Sequence, residues 1–540
     1  MNICMAQINT FVGDYDGNVR RVLEVTHRAT TELNADLIVF PELTLTGYPP
    51  EDLLMRPDIS ERTESAISAL LKGLPQDVTV IVGYPRRRKD KLFNSAGVIQ
   101  FGRLVTEYDK QYLPNYQVFD EKRYFESGCA SCVVDIGGIR FGLSICEDIW
   151  NAEPALKAQK AGAQCLLNLN ASPFHKGKLR ERIAVVSARA RALDLPIVYV
   201  NQIGGQDELV FDGGSFAVDG SGELRVCAPQ FEEAMAVVSC HPDDAGVVFN
   251  SGNIAAQMED LQSIWRALEL GLQDYVAKNG FPGVILGLSG GIDSAVTLAI
   301  AVDALGADRV EAVMMPFRYT SHISIEDAQA QSKVLGVKFK NLSIEPAYEA
   351  FMKVLEPEFH GFEPNITEEN LQARCRGVLL MSISNKKNLL VLTTGNKSEL
   401  AVGYSTLYGD MAGGFDVLKD CPKTLVYELA KYRNSLGLCI PERVITRPPS
   451  AELAPNQKDA DSLPSYDVLD LIVEQYIEND VTKASLIEFG FDAHDVQKIT
   501  RLIDLNEYKR RQAPVGVRIS RRAFGRDRRY PITWSWQKTS

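Results

Sequence analysis

Residues 284–296 read Val-Ile-Leu-Gly-Leu-Ser-Gly-Gly-Ile-Asp-Ser-Ala-Val, which is an apolar strand, a glycine turn and the start of a helix. A strand without polar residues is typical of a parallel sheet that helices cover on both faces. Glycines in such a turn let the backbone approach an anion, and the first turn of the next helix presents unpaired N–H groups. The stretch therefore predicts an α/β fold with a phosphate cradle at the end of one strand.

This cradle differs from the common nucleotide-binding loops. A Walker loop needs Gly-Lys-Ser/Thr and a Rossmann fingerprint needs G-x-G-x-x-G, and residues 287–294 contain neither. An aspartate in an anion site makes sense when a cation bridges it to phosphate, and Mg²⁺ binds through few carboxylates plus substrate phosphates. Asp293 is therefore the candidate magnesium ligand, and a tight turn without any ligand is the alternative.

The alternation of strands and helices continues on both sides of this stretch. Further buried strands are predicted at residues 2–8, 37–40, 78–82, 139–145, 165–170, 197–201, 310–315 and 389–395. Helices are predicted at residues 18–33, 258–278 and 295–305. A polar, turn-rich stretch near residues 240–256 interrupts the pattern. We expect two domains, 1–245 and 259–540, with a linker at 246–258.

Composition excludes several classes of protein. Of the 540 residues 45% are apolar and 24% charged, as in globular enzymes, and a net charge of −12 disfavours generic nucleic-acid binding. No apolar run reaches the roughly 18 residues that span a membrane, no secretory signal is visible, and ten Cys are too dilute for a disulfide scaffold. We expect a cytoplasmic enzyme with neither nucleic acid nor membrane as partner.

The last forty residues have the opposite charge balance. Residues 501–540 contain eleven Lys or Arg against three Asp or Glu. One interpretation is a solvated basic face that pairs with acidic groups elsewhere. The other is that part of this segment meets substrate phosphates.

Three reactive residues follow buried strands in the first half. Glu42 follows Leu-Ile-Val-Phe-Pro, Lys110 follows Val-Thr-Glu-Tyr-Asp and Cys146 follows Phe-Gly-Leu-Ser-Ile. Ligands of layered α/β proteins bind beyond the carboxyl ends of strands, so the three residues can share one pocket. A thiol nucleophile needs a base and a positive group beside the developing oxyanion, which Glu and Lys supply.

The surrounding motifs resemble a known superfamily. Residues 40–48 (Phe-Pro-Glu-Leu-Thr-Leu-Thr-Gly-Tyr), 108–116 (Tyr-Asp-Lys-Gln-Tyr-Leu-Pro-Asn-Tyr) and 143–150 (Leu-Ser-Ile-Cys-Glu-Asp-Ile-Trp) are similar to the three active-site motifs of the nitrilase, or carbon–nitrogen hydrolase, superfamily. The resemblance spans roughly residues 1–240 and implies a four-layer αββα sandwich that hydrolyses an amide through a thioester. It implies that Glu42 is the base, Lys110 stabilises the tetrahedral intermediate and Cys146 is the nucleophile.

Other interpretations of this half compete with that resemblance. A Cys–His protease would place one of the six His in a recognisable thiol-protease context, and none is. Cys129 and Cys132 have redox or half-zinc-site spacing, but they precede a strand and lack a second ligand pair, so we interpret them as coincidental. Glu121 either matches the superfamily's second, substrate-positioning glutamate or is a structural surface glutamate.

The loop at 289–294 resembles that of the ATP pyrophosphatase family, which implies a Rossmann-like doubly wound parallel sheet of the adenine nucleotide alpha hydrolase type. Motifs at residues 315–321, 368–377, 394–400, 408–415 and 448–453 are similar to those of NAD synthetases. With the nitrilase-like half in front, nearly all of the chain resembles the glutamine-dependent NAD synthetase family. The rival interpretations are another ATP-pyrophosphatase amidotransferase, of the purine nucleotide type, and a non-catalytic nucleotide sensor.

The resemblance implies a role for each matching residue. It assigns to ATP binding Leu286, Gly287, Leu288, Ser289, Gly290, Gly291, Ile292, Asp293, Ser294 and Thr394. It assigns to deamido-NAD binding Asn370, Glu399 and Lys509, to magnesium Asp293 and Glu399, and to glutamine binding Tyr116, Ser172, Lys178 and Glu121.

These assignments imply one reaction. Ammonia released from glutamine in the first half amidates the nicotinate carboxylate of deamido-NAD, which ATP has adenylated in the second, so NAD, AMP, pyrophosphate and glutamate are formed. Because ammonia in neutral water is mostly protonated, we expect a water-poor passage for it. The resemblance also implies a homo-oligomer, at least a dimer through the synthetase domain.

Overall fold

The computed structural model describes residues 1–243, 246–450, 452–454 and 464–535. Residue 245, the predicted end of the first domain, lies outside the described residues, as do Ala451 of the motif at 448–453 and residues 536–540 of the basic tail. The chain divides into two compact units, Met1–Glu259 and Asp260–Ser540.

The first unit contains four α-helices and fifteen strands within its described residues. The helices are α1 (Tyr15–Leu33), α2 (Ile59–Gly73), α3 (Ala152–Lys160) and α4 (Lys178–Leu193). The strands are β1 (Asn2–Gln7), β2 (Leu37–Val39), β3 (Thr79–Arg88), β4 (Lys91–Gln100), β5 (Arg103–Asp109), β6 (Val133–Ile136), β7 (Ile139–Ile145), β8 (Cys165–Asn170), β9 (Ile197–Asn201), β10 (Ile203–Gln206), β11 (Leu209–Asp212), β12 (Phe216–Val218), β13 (Leu224–Cys227), β14 (Ala234–Asp243) and β15 (Gly246–Phe249).

Two large sheets form the centre of this unit. The first has the order β15-β14-β1-β2-β3-β4-β5 and the second the order β13-β12-β9-β8-β7-β6, while β10 and β11 form a separate hairpin. The central pairs β1–β2, β2–β3, β7–β8 and β8–β9 are parallel, and the outer pairs are antiparallel. Two of the reactive residues, Glu42 and Cys146, follow the carboxyl ends of β2 and β7.

The alternation of side chains along the strands shows four layers. In β1, Ile3 and Met5 pack with residues of the second sheet, whereas Cys4 and Ala6 pack under α1 and α2. In β8, Leu167 faces the first sheet and Leu166 packs under α3 and α4. Strands buried on both faces need helices on the outside and a second sheet inside. The predicted αββα sandwich is confirmed.

The segment expected as a linker begins instead as a strand. Strand β15 pairs antiparallel with β14 at the edge of the first sheet. Its alternate side chains Val247 and Phe249 are buried in the core between the two sheets. Strand β15 reads Gly-Val-Val-Phe, and its alternating burial fits the edge of a sheet; the polar, turn-rich residues on either side of it concealed this short strand in the sequence.

The second unit contains twelve helices and five strands within its described residues. The strands are β16 (Val284–Gly287), β17 (Val310–Met314), β18 (Lys338–Asn341), β19 (Leu390–Thr393) and β20 (Phe415–Asp416). The helices are α5 (Asp260–Lys278), α6 (Ile292–Leu305), α7 (His322–Leu335), α8 (Glu345–Phe359), α9 (Ile366–Lys387), α10 (Lys397–Val402), α11 (Lys423–Leu436), α12 (Glu442–Thr446), α13 (Tyr466–Val473), α14 (Lys483–Glu488), α15 (Ala493–Leu505) and α16 (Glu507–Arg510).

The five strands form a parallel sheet in the order β18-β17-β16-β19-β20. The chain leaves β16 toward β17 on one side and later returns to β19 on the other, so the sheet is doubly wound as predicted. In such sheets a crevice opens at the carboxyl ends of the two strands where the winding reverses. The loops after β16 and β19 meet at this crevice.

Helices surround the sheet and extend beyond it. The apolar helix α6 packs against α5 and α11, and α9 packs against β16 and β19. Helices α10, α13 and α15 share a separate apolar cluster toward the end of the chain. No helix among the described residues is both long enough and apolar enough to cross a membrane.

Two candidate active sites

The structure brings together the three reactive residues of the first unit. Glu42, Lys110 and Cys146 each follow the carboxyl end of a strand, and they are 0%, 0% and 4% exposed. The Lys110 ammonium donates to Glu42 Oε1 at 2.7 Å. The order of the strands therefore brings these three side chains into one site, as expected from the sequence.

The Glu42 carboxylate is held from two further directions. Asn94 Nδ2 donates to Oε1 at 2.7 Å, and the backbone N–H of Ala171 donates to Oε2 at 3.1 Å. Two donors on one oxygen and one on the other fix the orientation of the carboxylate. A fixed carboxylate is what a positioned general base requires.

Glu121 is buried rather than a surface glutamate. Its Oε1 accepts from Lys110 Nζ and from the Tyr48 hydroxyl, each at 2.9 Å. Its Oε2 is buried and has no hydrogen-bond partner within the described part of the chain. Burial raises the pKa of Glu121 to about 7, although Lys110 opposes the shift. A buried acceptor without a donor is suited to a substrate N–H group.

Burial, together with the charges of this cluster, keeps the thiol protonated, and the two glutamates keep the lysine charged. Burial raises the pKa of Cys146 well above its usual value; the Glu42 carboxylate raises it further and Lys110 lowers it. Burial lowers the pKa of Lys110, but Glu121 and Glu42 more than offset this, so that it lies well above its usual value. A protonated thiol beside a fixed carboxylate needs proton transfer to that carboxylate before it attacks.

Cys146 stands on a sharp turn. It directly follows β7 and begins the 3₁₀ helix Cys146–Trp150, with a backbone φ of +44°. Residues other than glycine rarely adopt a positive φ, and such conformations concentrate at active sites. The turn presents the thiol beyond the end of the sheet.

The residues expected to bind glutamine lie around this turn. The Tyr116 hydroxyl donates to Glu147 Oε2 at 2.9 Å, and Lys178 Nζ lies 4.2 Å from the centre of the Trp150 ring. Burial lowers the pKa of Lys178. The backbone N–H of Ser172 donates to Asn201 Oδ1 at 2.9 Å. Glu147 was missed at the sequence level, although its position next to Cys146 was a usable signal.

A cavity of about 330 Å³ opens at the crevice of the second unit. Its lining includes all the predicted ATP-binding residues except Leu286 and Gly290. Leu286 is fully buried inside β16. Gly290 has a φ of +80°, and a Cβ there would lie 2.3 Å from the backbone oxygen of Ser324. Glycine is therefore required for the close approach of the loop to α7.

The loop presents hydroxyl and N–H groups at the start of α6. Ser289 and Ser294 are linked through their hydroxyls at 3.1 Å, and the Gly291 N–H donates to Ser289 Oγ at 3.2 Å. Among the described residues, no side chain caps the N-terminus of α6. An uncapped helix start at the edge of a cavity is suited to binding phosphate.

The two predicted magnesium ligands meet at a buried lysine. Lys423 Nζ, at the start of α11, lies 2.5 Å from Asp293 Oδ2 and 3.1 Å from Glu399 Oε1. Asn396 Nδ2 donates to Asp293 Oδ1 at 2.9 Å. Although burial lowers the pKa of Lys423, the two carboxylates raise it far above its usual value. All four side chains surround the start of α6.

The donor chemistry of this group fits magnesium. Asp293 and Glu399 both line the cavity beside the phosphate loop, and Lys423 neutralises one of their two charges. Mg²⁺ is typically held by one or two carboxylates together with substrate phosphates and water. A net charge of −1 leaves an attraction for a divalent cation.

The sequence-level view missed three basic residues at this cavity. The loop itself contains no lysine, but Lys423 reaches it from α11, and Arg376 and Arg447 also line the cavity. Arg376 Nε donates to the backbone oxygen of Met315 at 3.0 Å, and Arg447 Nη2 donates to that of Gly290 at 2.9 Å. All three lie more than eighty positions from the loop. Arg376 stands within the motif at 368–377 but was given no role, whereas Lys423 and Arg447 lie outside every motif quoted above.

The remaining predicted dinucleotide contacts lie beside the cavity rather than in its lining. The Thr406 hydroxyl donates to Asn370 Oδ1 at 2.8 Å, and Lys509 Nζ donates to the backbone oxygens of Gly403 and Ser405 at 2.8 and 3.0 Å. Ser405 itself lines the cavity. Asn370 and Lys509 therefore support the same short loop from two sides.

Part of the basic tail is held in ion pairs. Arg518 pairs with Asp527 at 2.7 Å, and Arg528 and Arg510 pair with Glu507 at 2.7 and 2.9 Å. These pairs are buried and lie within residues 501–540. The segment contains three acidic residues against eleven basic ones, so such pairs leave most of its positive charge and decide between neither interpretation of the segment.

Comparison with known proteins covers both halves of the chain. Residues 2–248 match the carbon-nitrogen hydrolase family model, and residues 264–513 match the NAD synthase family model. The glutamine-dependent NAD(+) synthetase of Acinetobacter baylyi is 49% identical over 538 residues, which cover 99% of this chain and 98% of that protein. That of Thermotoga maritima is 43% identical over 568 residues, which cover 99% and 98%.

A solved structure agrees in fold over the same length. The glutamine-dependent NAD+ synthetase of Acinetobacter baumannii, in complex with adenosine diphosphate, is 48% identical with a TM-score of 0.81, and the match covers 98% of each chain. The structure from Cytophaga hutchinsonii, 23% identical with a TM-score of 0.83, shares the fold. The chain belongs to the glutamine-dependent NAD(+) synthetase family, the ATP-dependent ligases that its two sets of motifs indicated.

Proposed function

We propose that this chain makes NAD from deamido-NAD, ATP and glutamine, with Glu42, Lys110 and Cys146 releasing ammonia and the cavity around Asp293 using it. The observation that carries this proposal is the pair of complete sites, one in each unit. A buried thiol, base and cation form the first site, and an uncapped phosphate loop with carboxylates and a buried lysine forms the second.

In the first site, Glu42 takes the thiol proton as Cys146 Sγ attacks the side-chain amide carbon of glutamine. Lys110 stabilises the oxyanion of the tetrahedral intermediate, since its ammonium is buried and charged. Glu42 returns the proton to the leaving nitrogen, so the C–N bond breaks and ammonia departs. Water, deprotonated by Glu42, then cleaves the glutamyl thioester to glutamate and restores the thiol.

Glutamine is an amino acid, so its α-amino and α-carboxylate groups need partners of opposite charge. Glu147 supplies a carboxylate and Lys178 an ammonium next to the Cys146 turn. Tyr116, Ser172 and Glu121 complete the proposed glutamine pocket, Glu121 through its unpaired buried oxygen. This arrangement favours glutamine over simple amides.

In the second site, the nicotinate carboxylate attacks the α-phosphorus of ATP and pyrophosphate leaves. Ser289, Ser294 and the N–H groups at the start of α6 bind the phosphates, with Leu286 contributing only backbone and Thr394 lining the cavity opposite. Lys423 places a positive charge beside the same loop. Ammonia then attacks the carbonyl carbon of the adenylate and AMP leaves. AMP is a far better leaving group than the oxide ion that a free carboxylate would have to expel.

We assign magnesium to Asp293 and Glu399, where it would neutralise phosphate charge as pyrophosphate leaves. Deamido-NAD is assigned to Asn370, Glu399 and Lys509, which surround the cavity and its adjoining loop. The adenine nucleotide seen in the Acinetobacter baumannii relative supports a nucleotide site in this unit.

Association of synthetase units is supported by one exposed surface. No residue of α8 is buried, and large apolar side chains project from α8, from the start of α9 and from the connection between them. This apolar α8–α9 face comprises Phe351, Val354, Phe362 and Ile366. Exposed apolar patches of this kind mark protein–protein contacts. We propose a homo-oligomer, at least a dimer, that covers this face.

The test compares two nitrogen sources in two variants. Cys146→Ala should abolish NAD formation from glutamine and spare formation from high ammonium, whereas Asp293→Ala should abolish both. The matched controls are Cys165→Ala, a buried cysteine of β8 outside the site, and Asp308→Ala on the surface. Full glutamine use by Cys146→Ala, or absence of substrate-dependent pyrophosphate release by the unmodified chain, would overturn the proposal.

A further inference from the structure

We propose that Asp148 is a positioning residue for the glutaminase reaction, whose carboxylate holds the backbone on either side of Lys110 against the turn that carries Cys146. This inference rests on the proposed function of the first site. It concerns a residue that contacts neither the thiol nor the substrate and acts through two residues that do.

The carboxylate of Asp148 accepts four hydrogen bonds. Oδ1 accepts from the backbone N–H groups of Gln111 and Tyr112 at 3.0 and 2.8 Å. Oδ2 accepts from the backbone N–H of Ile145 at 3.0 Å and from the Tyr108 hydroxyl at 2.8 Å. Asp148 is fully buried, and its hydrogen bonds reach segments that are 33 to 40 residues apart in the chain.

The positions of these donors carry the argument. Tyr108 precedes Lys110 by two residues, and Gln111 follows it directly. The Asp148 carboxylate therefore forms hydrogen bonds to residues on both sides of the lysine. Ile145 directly precedes Cys146. Capping the 3₁₀ helix would require only the bond to Ile145. The other three bonds serve the placement of Lys110 relative to Cys146.

The turn that needs this support is an uncommon one. Cys146 has a positive φ, a conformation that persists when the surrounding structure over-determines it. Without the Oδ2–Ile145 bond, the residue before the nucleophile loses a hydrogen bond that fixes its backbone. The thiol would then sample orientations away from Glu42 and the substrate carbon.

Only a carboxylate satisfies this set of donors. In asparagine, one of the two terminal atoms is an N–H₂ donor, which would face either the Gln111 and Tyr112 N–H groups or that of Ile145. Two N–H donors that face each other repel. In either orientation of the amide, one of the two backbone segments would therefore lose its hydrogen bonds to residue 148. Asp148→Asn therefore keeps the size of the side chain and breaks the link.

The experiment measures glutamine-supported and ammonium-supported NAD formation in Asp148→Asn, with Asp219→Asn as matched control. Asp219 is another carboxylate of the first unit that accepts a backbone N–H, that of Glu223 at 2.9 Å, in the turn between β12 and β13. A misplacement of about 1 Å costs on the order of 100-fold in rate. We expect Asp148→Asn to lower kcat with glutamine by about 100-fold, with KM for glutamine changed less than about threefold, and Asp219→Asn to leave both unchanged.

A second readout follows the nucleophile itself. Alkylation by iodoacetamide, followed peptide by peptide with mass spectrometry, should slow at Cys146 in Asp148→Asn and stay unchanged at the exposed Cys129. Ammonium-supported synthesis should remain at the unmodified level, which shows that the second unit is folded. A lower melting temperature with unchanged kcat, or a raised KM with unchanged kcat, overturns the positioning role.

Two further variants separate the possible failures. If Asp148→Asn does not fold, Tyr108→Phe is the test, because it deletes one donor to the carboxylate without adding bulk. A kcat with glutamine equal to that of the unmodified chain would then overturn the inference. Cys146→Ala in the same assay tests the proposed function alone. Retained glutamine use in Cys146→Ala refutes that function, whereas its loss together with full activity of Asp148→Asn refutes only the role of Asp148.

Discussion

At the scale of single residues, each site is built around one buried lysine that serves two carboxylates. Lys110 lies between Glu42 and Glu121, and Lys423 lies between Asp293 and Glu399. In the reaction that we propose, the first ammonium would face a neutral amide and supply the positive charge for an oxyanion. The second would offset one of two carboxylates, which together would repel a polyphosphate.

Lys423→Met should disable the second site. Breaking a buried ion pair costs several kcal/mol, and because both carboxylates are partly exposed we expect about 2 kcal/mol of lost stability. NAD formation from either nitrogen source should fall by about 100-fold or more, as when a cation is removed from a charged transition state. Steady-state assays and melting temperatures check this.

The matched control for that variant is Lys431→Met, an exposed lysine on the same helix α11. It should leave activity and melting temperature unchanged. Activity of Lys423→Met within a factor of three of the unmodified chain would contradict a role for Lys423 at the phosphate loop.

Asp416 should give the stability of the second unit a defined pH dependence. Burial raises the pKa of this cavity-lining carboxyl from 3.8 to about 7, and its Oδ1 has no hydrogen-bond partner among the described residues. Between these two pKa values the folded chain binds a proton that the unfolded chain has lost. Stability therefore falls as pH rises toward 7, by about 1.4 kcal/mol per pH unit at most.

Asp416→Asn removes this titration, so the variant should gain melting temperature relative to the unmodified chain as pH rises from 5.5 to 8.0. The relative gain should be a few degrees, since about 1 kcal/mol corresponds to roughly 2–4 °C in a unit of this size. Differential scanning calorimetry at the two pH values measures it. An equal difference at both values would show that Asp416 is ionised in the folded chain.

The sequence predicted site residues that stand within recognisable motifs. It missed site residues that reach a site only because the chain folds. Glu42, Lys110 and Cys146 stand at strand ends within motifs, and each was predicted from its own neighbourhood. Lys423 lies 130 residues from Asp293 and follows an unremarkable Cys-Pro. Its role depends on how α11 packs against the sheet, which no local pattern encodes.

At the scale of elements, the turn between β16 and α6 depends on one glycine more than on its neighbour. Gly290→Ala adds a Cβ within 2.3 Å of the Ser324 backbone oxygen at a positive φ, whereas a Cβ on Gly291, at φ −88°, meets nothing closer than Ser289 Oγ at 3.3 Å. The Ser324 backbone oxygen cannot move away from the added Cβ as easily as a side-chain atom could. We expect Gly290→Ala to lose at least about 2 kcal/mol of stability.

Calorimetric titration with ATP and thermal unfolding check the comparison. Gly290→Ala should melt several degrees lower and bind ATP at least tenfold more weakly, because the loop must move away from α7. Gly291→Ala should retain the melting temperature of the unmodified chain. Equal behaviour of the two variants would show that the loop is not held against α7.

The elements themselves were predicted best where both faces are buried. Strands such as β8 and β9 are continuous apolar runs and could be read directly. Strand β18 (Lys-Phe-Lys-Asn) lies at the edge of its sheet with three of its four residues exposed, so its polar sequence resembles that of a loop. Strand β15, at the edge of the seven-stranded sheet, is apolar but only four residues long, and the residues around it are polar and turn-rich.

At the scale of the whole chain, the charge is unevenly distributed. Subtracting the +8 of residues 501–540 from the net −12 leaves about −20 for the first 500 residues. The buried pairs of Glu507 with Arg510 and Arg528 join α16 to the residues that follow it, but the acidic residues of the segment are already counted in its +8. The segment therefore keeps a net positive charge within an acidic chain.

The apolar α8–α9 face predicts how the chain assembles. Val354 is 75% exposed in the middle of α8, an exposure that an isolated chain in water would not favour at so many neighbouring apolar positions. A glutamate at 354 would place a charge in any interface that covers this face, and burying an unpaired charge is strongly unfavourable. Val354→Glu should therefore weaken association without unfolding the helix, since α8 has no buried residue.

Analytical ultracentrifugation across about 0.1 to 10 μM should show the unmodified chain as a dimer or larger species and Val354→Glu shifted to a smaller one. Leu438→Glu is the matched control, because Leu438 is 71% exposed but lies after α11, away from this face. The control should sediment as the unmodified chain does. If the unmodified chain sediments as a monomer, or if both glutamate variants dissociate it equally, the α8–α9 face is not the interface and the exposed apolar side chains need another partner.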